Sequence, residues 1–166
     1  MTRIEARTHL GELLVLRDEQ DGDVRADEGG DFANWGPNLQ RPNFAIHRFM
    51  VTLGDDEVIV GTMSWHDTWY GPTAGSQAWN IGIGLAPTAR GRGVGSLAQR
   101  LLAEHLFTST FVTRVEASTD VLNIAEQRAL ERAGFTREGI LRQAQQREDG
   151  WHDLVSYSIL RSDLGR

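Results

Sequence analysis

Residues 90–96, RGRGVGS, combine arginine side chains with closely spaced glycines where a β-type run meets an amphipathic helix. The first N–H groups of a helix lack intrahelical acceptors, and the helix dipole places partial positive charge beside them. Glycines let an anion approach this backbone closely, and Arg90, Arg92 and Arg100 add full positive charges. We therefore predict an anion site for phosphate groups, formed by Arg90, Gly91, Arg92, Gly93, Val94, Gly95 and Ser96.

Other kinds of glycine loop fit this segment less completely. A nucleoside-triphosphate P-loop is excluded because no lysine follows the glycines. A dinucleotide-binding loop has Gly91 and Gly93 in place and Glu116 further along the chain, but Ser96 stands at the third glycine position. A tight turn that only needs glycine dihedrals is the remaining alternative.

Hydrophobic periodicity predicts the elements that position this loop. Apolar residues at i, i+3, i+4 and i+7 spacing predict a helix over 94–106 and a second over 123–133, which Gly134 ends. Alternating runs predict strands over 13–16, 44–53, 58–69, 79–85, 113–119, 137–147 and 151–160. A two-residue turn at 149–150 would pair Arg142 with Tyr157 and Gln146 with Asp153. We expect one domain over 1–166, with an irregular segment over 18–43.

The spacing Arg90-x-x-Gly93-x-Gly95 resembles motif A of the GNAT superfamily of acyl-CoA-dependent N-acetyltransferases. The downstream segments 116–117, 129–135 and 138–142, Asn123, and the pair Asp153 and Tyr157 resemble later motifs of the ribosomal-protein (RimJ/RimL-type) branch. The resemblance implies an α/β (α+β) fold: a mixed, mainly antiparallel central sheet with helices on both faces and a splayed strand pair at the cofactor cleft. It also implies acetyl-CoA as the acyl donor.

The same resemblance assigns the cofactor arm to residues on either side of the loop. In the family, the strand before the loop leaves backbone groups free for pantetheine, here at Ile83, Gly84 and Leu85. The Leu85 N–H would polarise the thioester carbonyl as an oxyanion donor. The Asn123 amide would pair with pantetheine, although Asn123 is equally suited to capping its helix.

Glu116 is the leading candidate for the general base, since it lies on a strand that borders the expected cleft. Its alternative role is an ion pair with an arginine such as Arg114. Ser118 lies on the same strand face, where some relatives carry a basic glutamate. His47, His66 and Asp67 are further candidates for the base.

The acid that protonates the CoA thiolate is harder to assign. The family's tyrosine position, seven residues after Asn123, holds Leu130, and the branch's serine position, three residues after it, holds Glu126. Tyr157 could reach the cleft or pack beside Arg142. An aromatic group is expected to serve mainly the core, with one or two members at the acceptor site: Trp65, Trp69, Tyr70 and Trp79.

Composition limits the other functions. The absence of cysteine excludes an acyl-cysteine intermediate, and five histidines without metal-ligand spacing argue against a metal. A net charge of −6 argues against general nucleic-acid binding. Without a signal peptide or a transmembrane run, we expect a cytoplasmic protein that does not bind membranes. The acidic residues of 18–31 form either a solvated loop or an electrostatic attractor for amines.

These observations predict an acyl-CoA-dependent N-acyltransferase that moves acetyl to a primary amine by direct attack. The acceptor would be a peptide N-terminus, a polyamine or a small-molecule amine. The alternative is a non-catalytic acyl-CoA-binding regulatory module, which the missing tyrosine and serine favour. The sequence leaves a homodimer open.

Overall fold

The computed structural model describes residues 1–26, Trp35 and residues 45–165. Within these ranges, eight strands and two α-helices follow one another along the chain. They are β1 (Arg3–Arg7), β2 (Leu13–Asp18), β3 (His47–Leu53), β4 (Val58–Trp69), β5 (Gln77–Leu85), α1 (Val94–Ser109), β6 (Arg114–Asp120), α2 (Ile124–Arg132), β7 (Thr136–Arg147) and β8 (Gly150–Leu160). The predicted elements are present, and β1 is an additional strand whose charged residues did not indicate one.

The strands form one sheet in the order β1-β2-β3-β4-β5-β6-β8-β7, and each neighbouring pair is antiparallel except β5 and β6. These two parallel strands pair only at Trp79 with Val115 and Asn80 with Glu116. Beyond that point β5 continues to Leu85 and β6 to Asp120 without pairing. The mixed, mainly antiparallel sheet and its splayed strand pair are therefore confirmed.

Both helices pack on one face of the sheet, where alternate residues of β6 and β8 are apolar. Val115 and Ala117 of β6 and Ile159 of β8 belong to the same buried cluster as Leu102 of α1 and Leu130 of α2. Alternation along β6 sends Glu116 and Ser118 to the opposite, polar face. Helices on that second face were also expected, and residues 27–34 and 36–44 lie outside the described part of the chain.

The predicted register of the last hairpin is wrong. Arg147 pairs with Gly150, so the two turn residues are Glu148 and Asp149, and Gln146 pairs with Trp151 instead of Asp153. Gly150 adopts a φ of 134°, which suits the residue that resumes the strand after the turn. Irregularities between Arg137 and Gly139 and between Leu141 and Gln145 then shift the pairing further. Tyr157 consequently faces Arg137 instead of Arg142.

Candidate active site

A cleft of about 860 Å³ opens where β5 and β6 separate. Its walls come from the ends of both strands, the 90–96 loop and the first turns of α2. The predicted residues that line it are Ile83, Gly84, Leu85, Arg90, Gly91, Gly93, Gly95, Ser96, Ser118 and Asn123. The structure therefore brings the predicted cofactor loop, the strand before it and Asn123 to one cavity.

The loop at the mouth of the cleft presents the start of α1. Leu97 makes the first α1 hydrogen bond, to the Gly93 carbonyl (3.1 Å). The N–H groups of Val94, Gly95 and Ser96 thus have no acceptor within the helix. Gly93 caps the helix with a φ of 78°, and a Cβ there would stand 2.8 Å from Nδ1 of His9. This position therefore favours glycine on two grounds.

The arginines of the loop differ in what they contact. Arg90 is exposed, lines the cleft and donates from Nε to the Leu85 carbonyl (3.0 Å). Arg92 forms an ion pair with Glu12 of the β1–β2 turn, and Arg100 forms one with Glu104 (2.6 Å). Two further arginines of α2, four residues apart on one helical face, line the cleft and were missed: Arg128 and Arg132.

The free edge of β5 offers backbone groups to the cleft. Ala86 donates its N–H to the Val60 carbonyl of β4 (2.8 Å). Because successive residues of a strand direct their N–H groups to opposite sides, those of Leu85 and Ile83 point away from β4, toward β6. The Leu85 N–H is thus aimed into the cleft, as an oxyanion or pantetheine donor needs to be.

Glu116 lies where the two strands join, and it is buried with three hydrogen-bond donors. Its carboxylate accepts from the Tyr70 hydroxyl, from Nδ2 of Asn80 (3.3 Å) and from Nε of Arg114 (3.2 Å). Arg114 also binds both carboxylate oxygens of Glu138. The ion pair with Arg114 is therefore present, and Glu116 sits just beyond the closed end of the cleft instead of lining it.

The bonds around Arg114 alter the pKa values of its partners. The hydrogen bond from Arg114 holds the pKa of Glu138 below its usual range. Burial, followed by the hydrogen bond to Glu116, raises the pKa of Tyr70. Tyr70 therefore stays protonated and keeps donating to Glu116 at neutral pH, which a phenol with an ordinary pKa near 10 already favours.

Tyr157 lies in the core and does not line the cleft, contrary to the expectation that it could reach it. Its side chain is fully buried, and its hydroxyl donates to Oε1 of Glu131 on α2 (3.2 Å). Pairing with Ala117 places Tyr157 on the helix-covered face of the sheet. Burial, and then the bond to Glu131, raises the pKa of this phenol.

The other candidate bases also lie outside the cleft lining. His47 stacks on Trp65 with ring centroids 5.3 Å apart, and Asp67 accepts from the indole N–H of Trp69 (2.7 Å). His66 has Nδ1 3.1 Å from the Asp67 carbonyl. Among the aromatic group, Trp65 is buried in the core and Trp69 is exposed, whereas Tyr70 reaches Glu116.

The start of α2 brings Asn123 and Glu126 to the cleft wall. The Asn123 side-chain oxygen accepts from the Glu126 N–H (3.2 Å), so Asn123 does cap the helix. That bond uses Oδ1, and Nδ2 is the atom with which a ligand would interact. Burial raises the pKa of Glu126 to about 7, while a hydrogen bond from Gln99 opposes the shift. Sequence reasoning noted Glu126 only as a departure from the branch's serine and did not single it out as an acid.

A buried ion pair lies at the far end of the cleft. Asp120 accepts from Arg147 (2.9 Å), from Nδ1 of His152 (2.8 Å) and from the Leu122 N–H (2.8 Å). Burial acts to raise the pKa of Asp120, but the Leu122 and His152 hydrogen bonds outweigh it and hold the pKa below its usual range. Arg147 also lies 6.0 Å from the ring centroid of Trp35, which lines the cleft.

Two kinds of feature are absent from the described ranges. None of the helices there is long and apolar enough to cross a bilayer. The His, Asp and Glu residues of the same ranges form no group of three that could hold a metal ion.

Comparisons with known proteins agree on one family. A family model described as an acetyltransferase (GNAT) domain matches residues 17–136. The Probable N-acetyltransferase YjcK of Bacillus subtilis is 30% identical over 117 residues, which are 70% of this chain and 63% of that protein. The match therefore spans less than two thirds of the length of that relative.

Two solved structures share the fold over nearly the whole chain. RimJ of Mycobacterium smegmatis, in complex with CoA-disulfide, has a TM-score of 0.74 at 19% identity, covering 99% of this chain and 89% of its own. The ribosomal-protein-S5-alanine acetyltransferase of Vibrio fischeri has a TM-score of 0.74 at 18% identity, covering 98% of each chain. These similarities concern the fold.

Proposed function

Because the chain belongs to the GNAT acetyltransferase family, we propose that it transfers the acetyl group of acetyl-CoA to a primary amine. The observation that carries the proposal is the cleft between β5 and β6, which has at its mouth the start of α1, where no side chain bonds the first N–H groups. An acyl-CoA needs a phosphate site joined to a narrow channel with backbone donors, and this cleft supplies both.

The cofactor phosphates would contact the N–H groups at the start of α1 and the exposed Arg90. The predicted contacts of Gly91, Gly93, Gly95 and Ser96 agree with the lining of the cleft. Arg92 and Val94 would act differently, since Arg92 is paired with Glu12 and the Val94 side chain is buried, which leaves the Val94 N–H as its contribution. The pantetheine arm would run between β5 and α2, past Ile83, Gly84, Leu85 and Asn123.

The proposed reaction is direct attack of a neutral amine on the thioester, with the Leu85 N–H stabilising the oxyanion. Holding both reactants in line can supply about 7 to 11 kcal/mol of the barrier. Glu116 would take the proton from the amine, and Ser118, which lines the cleft on the same strand face, would relay it through water. Tyr157 has no part in this scheme because its hydroxyl is turned to α2.

The acceptor we favour is an α-amine of a peptide N-terminus, as in the RimJ/RimL-type branch. An α-amine has a pKa of about 7.7 to 8.0 and is partly neutral at physiological pH, whereas a lysine-like or polyamine nitrogen near 10.4 is almost wholly protonated. The carboxylate of Glu116 already accepts hydrogen bonds from Arg114, Tyr70 and Asn80. Such a base suits an α-amine, because less of that acceptor has to be deprotonated. Polyamines and small-molecule amines are the alternative acceptors.

Thiol release from acetyl-CoA tests the proposal over a panel of peptides with free N-termini, polyamines and small amines. We expect turnover with at least one peptide and lower kcat/KM for polyamines at neutral pH. A protein that acetyl-CoA stabilises against heat, but that releases no thiol with any amine, is instead a regulatory acyl-CoA-binding module. Leu130 and Glu126, at the positions of the family's tyrosine and serine, are the observation that favours this second candidate. Stabilisation by NAD alone would exclude both.

A further inference from the structure

The first turn of α2 places a carboxyl group in the wall of the cleft. Glu126 lines the cavity together with Gly95 and Ser96 of α1. Its side chain hydrogen-bonds with that of Gln99, a buried α1 residue whose amide also donates to the Gly95 carbonyl (3.2 Å). Gln99 of α1 thus holds the Glu126 carboxyl of α2 at the wall of the cleft.

The cleft contains two carboxyl groups among the described residues that line it, and their surroundings are opposite. Asp120 is bonded to Arg147, His152 and a backbone N–H, which keep it ionised. Glu126 has no salt bridge within the described ranges, and burial is the largest cause of its raised pKa of about 7. The other charged groups that line the cleft are Arg90, Asp120, Arg128, Arg132 and Arg147. None of them is a cause of the raised pKa of Glu126.

We propose that protonated Glu126 is the general acid that delivers a proton to the CoA sulfur as the thioester breaks. This inference rests on the proposed function. The tyrosine of the core cannot take this part, since the Tyr157 hydroxyl is engaged by Glu131, and Leu130 is apolar and fully buried. Glu126 is left as the acidic proton donor among the described side chains of the cleft.

The proton balance of the step is complete. The amine nitrogen forms a bond to the acetyl carbon, the carbon–sulfur bond breaks, and its electron pair goes to sulfur. The sulfur takes the proton of the Glu126 carboxyl, and the excess proton of the new amide nitrogen leaves through Glu116 or water. Solvent then reprotonates Glu126 after the products dissociate. A thiol has a pKa of about 8.5, so proton transfer from a carboxyl near 7 to the thiolate is favourable.

The same carboxyl couples acetyl-CoA binding to proton uptake. A pantetheine arm in the channel excludes water from Glu126 and so disfavours its charged form further. At a pH above the pKa that Glu126 has in the free protein, the cofactor therefore binds most tightly to protein that has taken up a proton at Glu126. This property is measurable in the absence of any acceptor.

Calorimetric titration with acetyl-CoA near pH 8, in two buffers of different ionisation enthalpy, tests the coupling. On binding acetyl-CoA, the wild type should take up on the order of half a proton or more in excess of the number that Glu126→Gln takes up. The control Glu5→Gln, an exposed residue of β1 outside the cleft, should behave as the wild type. Equal proton uptake by the wild type and Glu126→Gln would overturn the proposal.

Kinetics provide the second readout. Glu126→Gln should lower kcat by about 10²-fold, and the wild-type decline of kcat at high pH, where Glu126 ionises, should be absent from the variant. Unchanged kcat and an unchanged pH profile in Glu126→Gln would overturn the role of Glu126 while leaving the acetyltransferase proposal intact. If the acetyltransferase proposal itself is wrong, the wild type will release no thiol with any amine.

Discussion

Arg92 and Glu12 form an ion pair that ties the loop before α1 to the turn between β1 and β2. His9 of the same turn lies against Gly93, so the first two strands support the loop from outside the cleft. The second oxygen of Glu12 is buried without a hydrogen-bond partner among the described residues. The N-terminal hairpin therefore helps to hold the start of α1 in position for an anion.

Gly93→Ala should weaken acetyl-CoA binding and stability together. A non-glycine residue at a left-handed φ costs about 1 to 2 kcal/mol, and the new Cβ would force His9 to move. We expect a Kd raised by on the order of tenfold and a lower melting temperature. Gly95→Ala is the matched control, since its Cβ would meet Leu85 at an ordinary 3.5 Å without a positive φ. Equal losses in both variants would contradict the argument.

Glu116→Gln should lower kcat/KM by about 10² to 10⁴ if this carboxylate takes the proton of the amine. The loss should shrink as pH rises, because the acceptor then deprotonates by itself, near pH 8 to 9 for an α-amine and higher for a polyamine. Glu138→Gln is the control, because it removes the other carboxylate of Arg114. Its pH profile should match the wild type, and acetyl-CoA should bind both variants. Undiminished turnover of Glu116→Gln across this range would assign Glu116 a structural role.

The acidic residues of 18–31 have different roles. Asp23 accepts hydrogen bonds from the two terminal guanidinium nitrogens of Arg17 (2.7 and 2.9 Å), and these bonds, with one from the Gln20 N–H, lower its pKa to about 2. Asp27 and Glu28 lie outside the described residues. Asp23→Asn should therefore destabilise the protein on the order of 1 kcal/mol at neutral pH. Because the folded-state pKa is lowered, this contribution is lost as pH falls through about 4 to 2, as acid unfolding would show.

Attraction of a cationic acceptor is tested by neutralising Asp21, Asp27 and Glu28 together while Asp23 is kept. If these carboxylates steer the acceptor, its KM should rise at low salt and approach the wild-type value at high salt. Acetyl-CoA affinity should not change. Acceptor kinetics that are identical at every salt concentration would identify a solvated loop.

Glu126 should make the folded protein less stable as pH rises. Its folded-state pKa of about 7 lies above the ordinary 4.5, so between these values the folded state binds more protons than the unfolded state. Stability should be greatest below about 4.5 with respect to this group and decline by up to about 3 kcal/mol as pH reaches 7 to 8. Denaturant titrations at several pH values should show this decline in the wild type and in Glu5→Gln, but not in Glu126→Gln. Parallel curves of stability against pH for all three proteins would exclude this contribution of Glu126.

Local sequence determined the elements whose signals are short in range. The spacing of Val94, Ala98 and Leu102 predicted α1 because every third or fourth residue of a helix faces the sheet. The glycines of 91–95 predicted the loop since few other residues adopt its backbone. The pattern around Arg90 and Gly93 also sufficed to predict the family, which the match over 17–136 confirms.

Tertiary structure decided the features that depend on residues distant in the chain. The Arg92–Glu12 pair joins positions 80 apart, and no local pattern indicates it. The pairing of Tyr157 with Ala117 turned the Tyr157 hydroxyl to α2. Irregularities along β7 changed the pairing of β7 with β8, which the turn residues alone did not predict. In the sequence, Glu126 was only a departure from the branch's serine, because its packing beside α1 is not visible there. The raised pKa of Glu126 comes from lost solvation, which is a property of the folded cleft and not of the residue type.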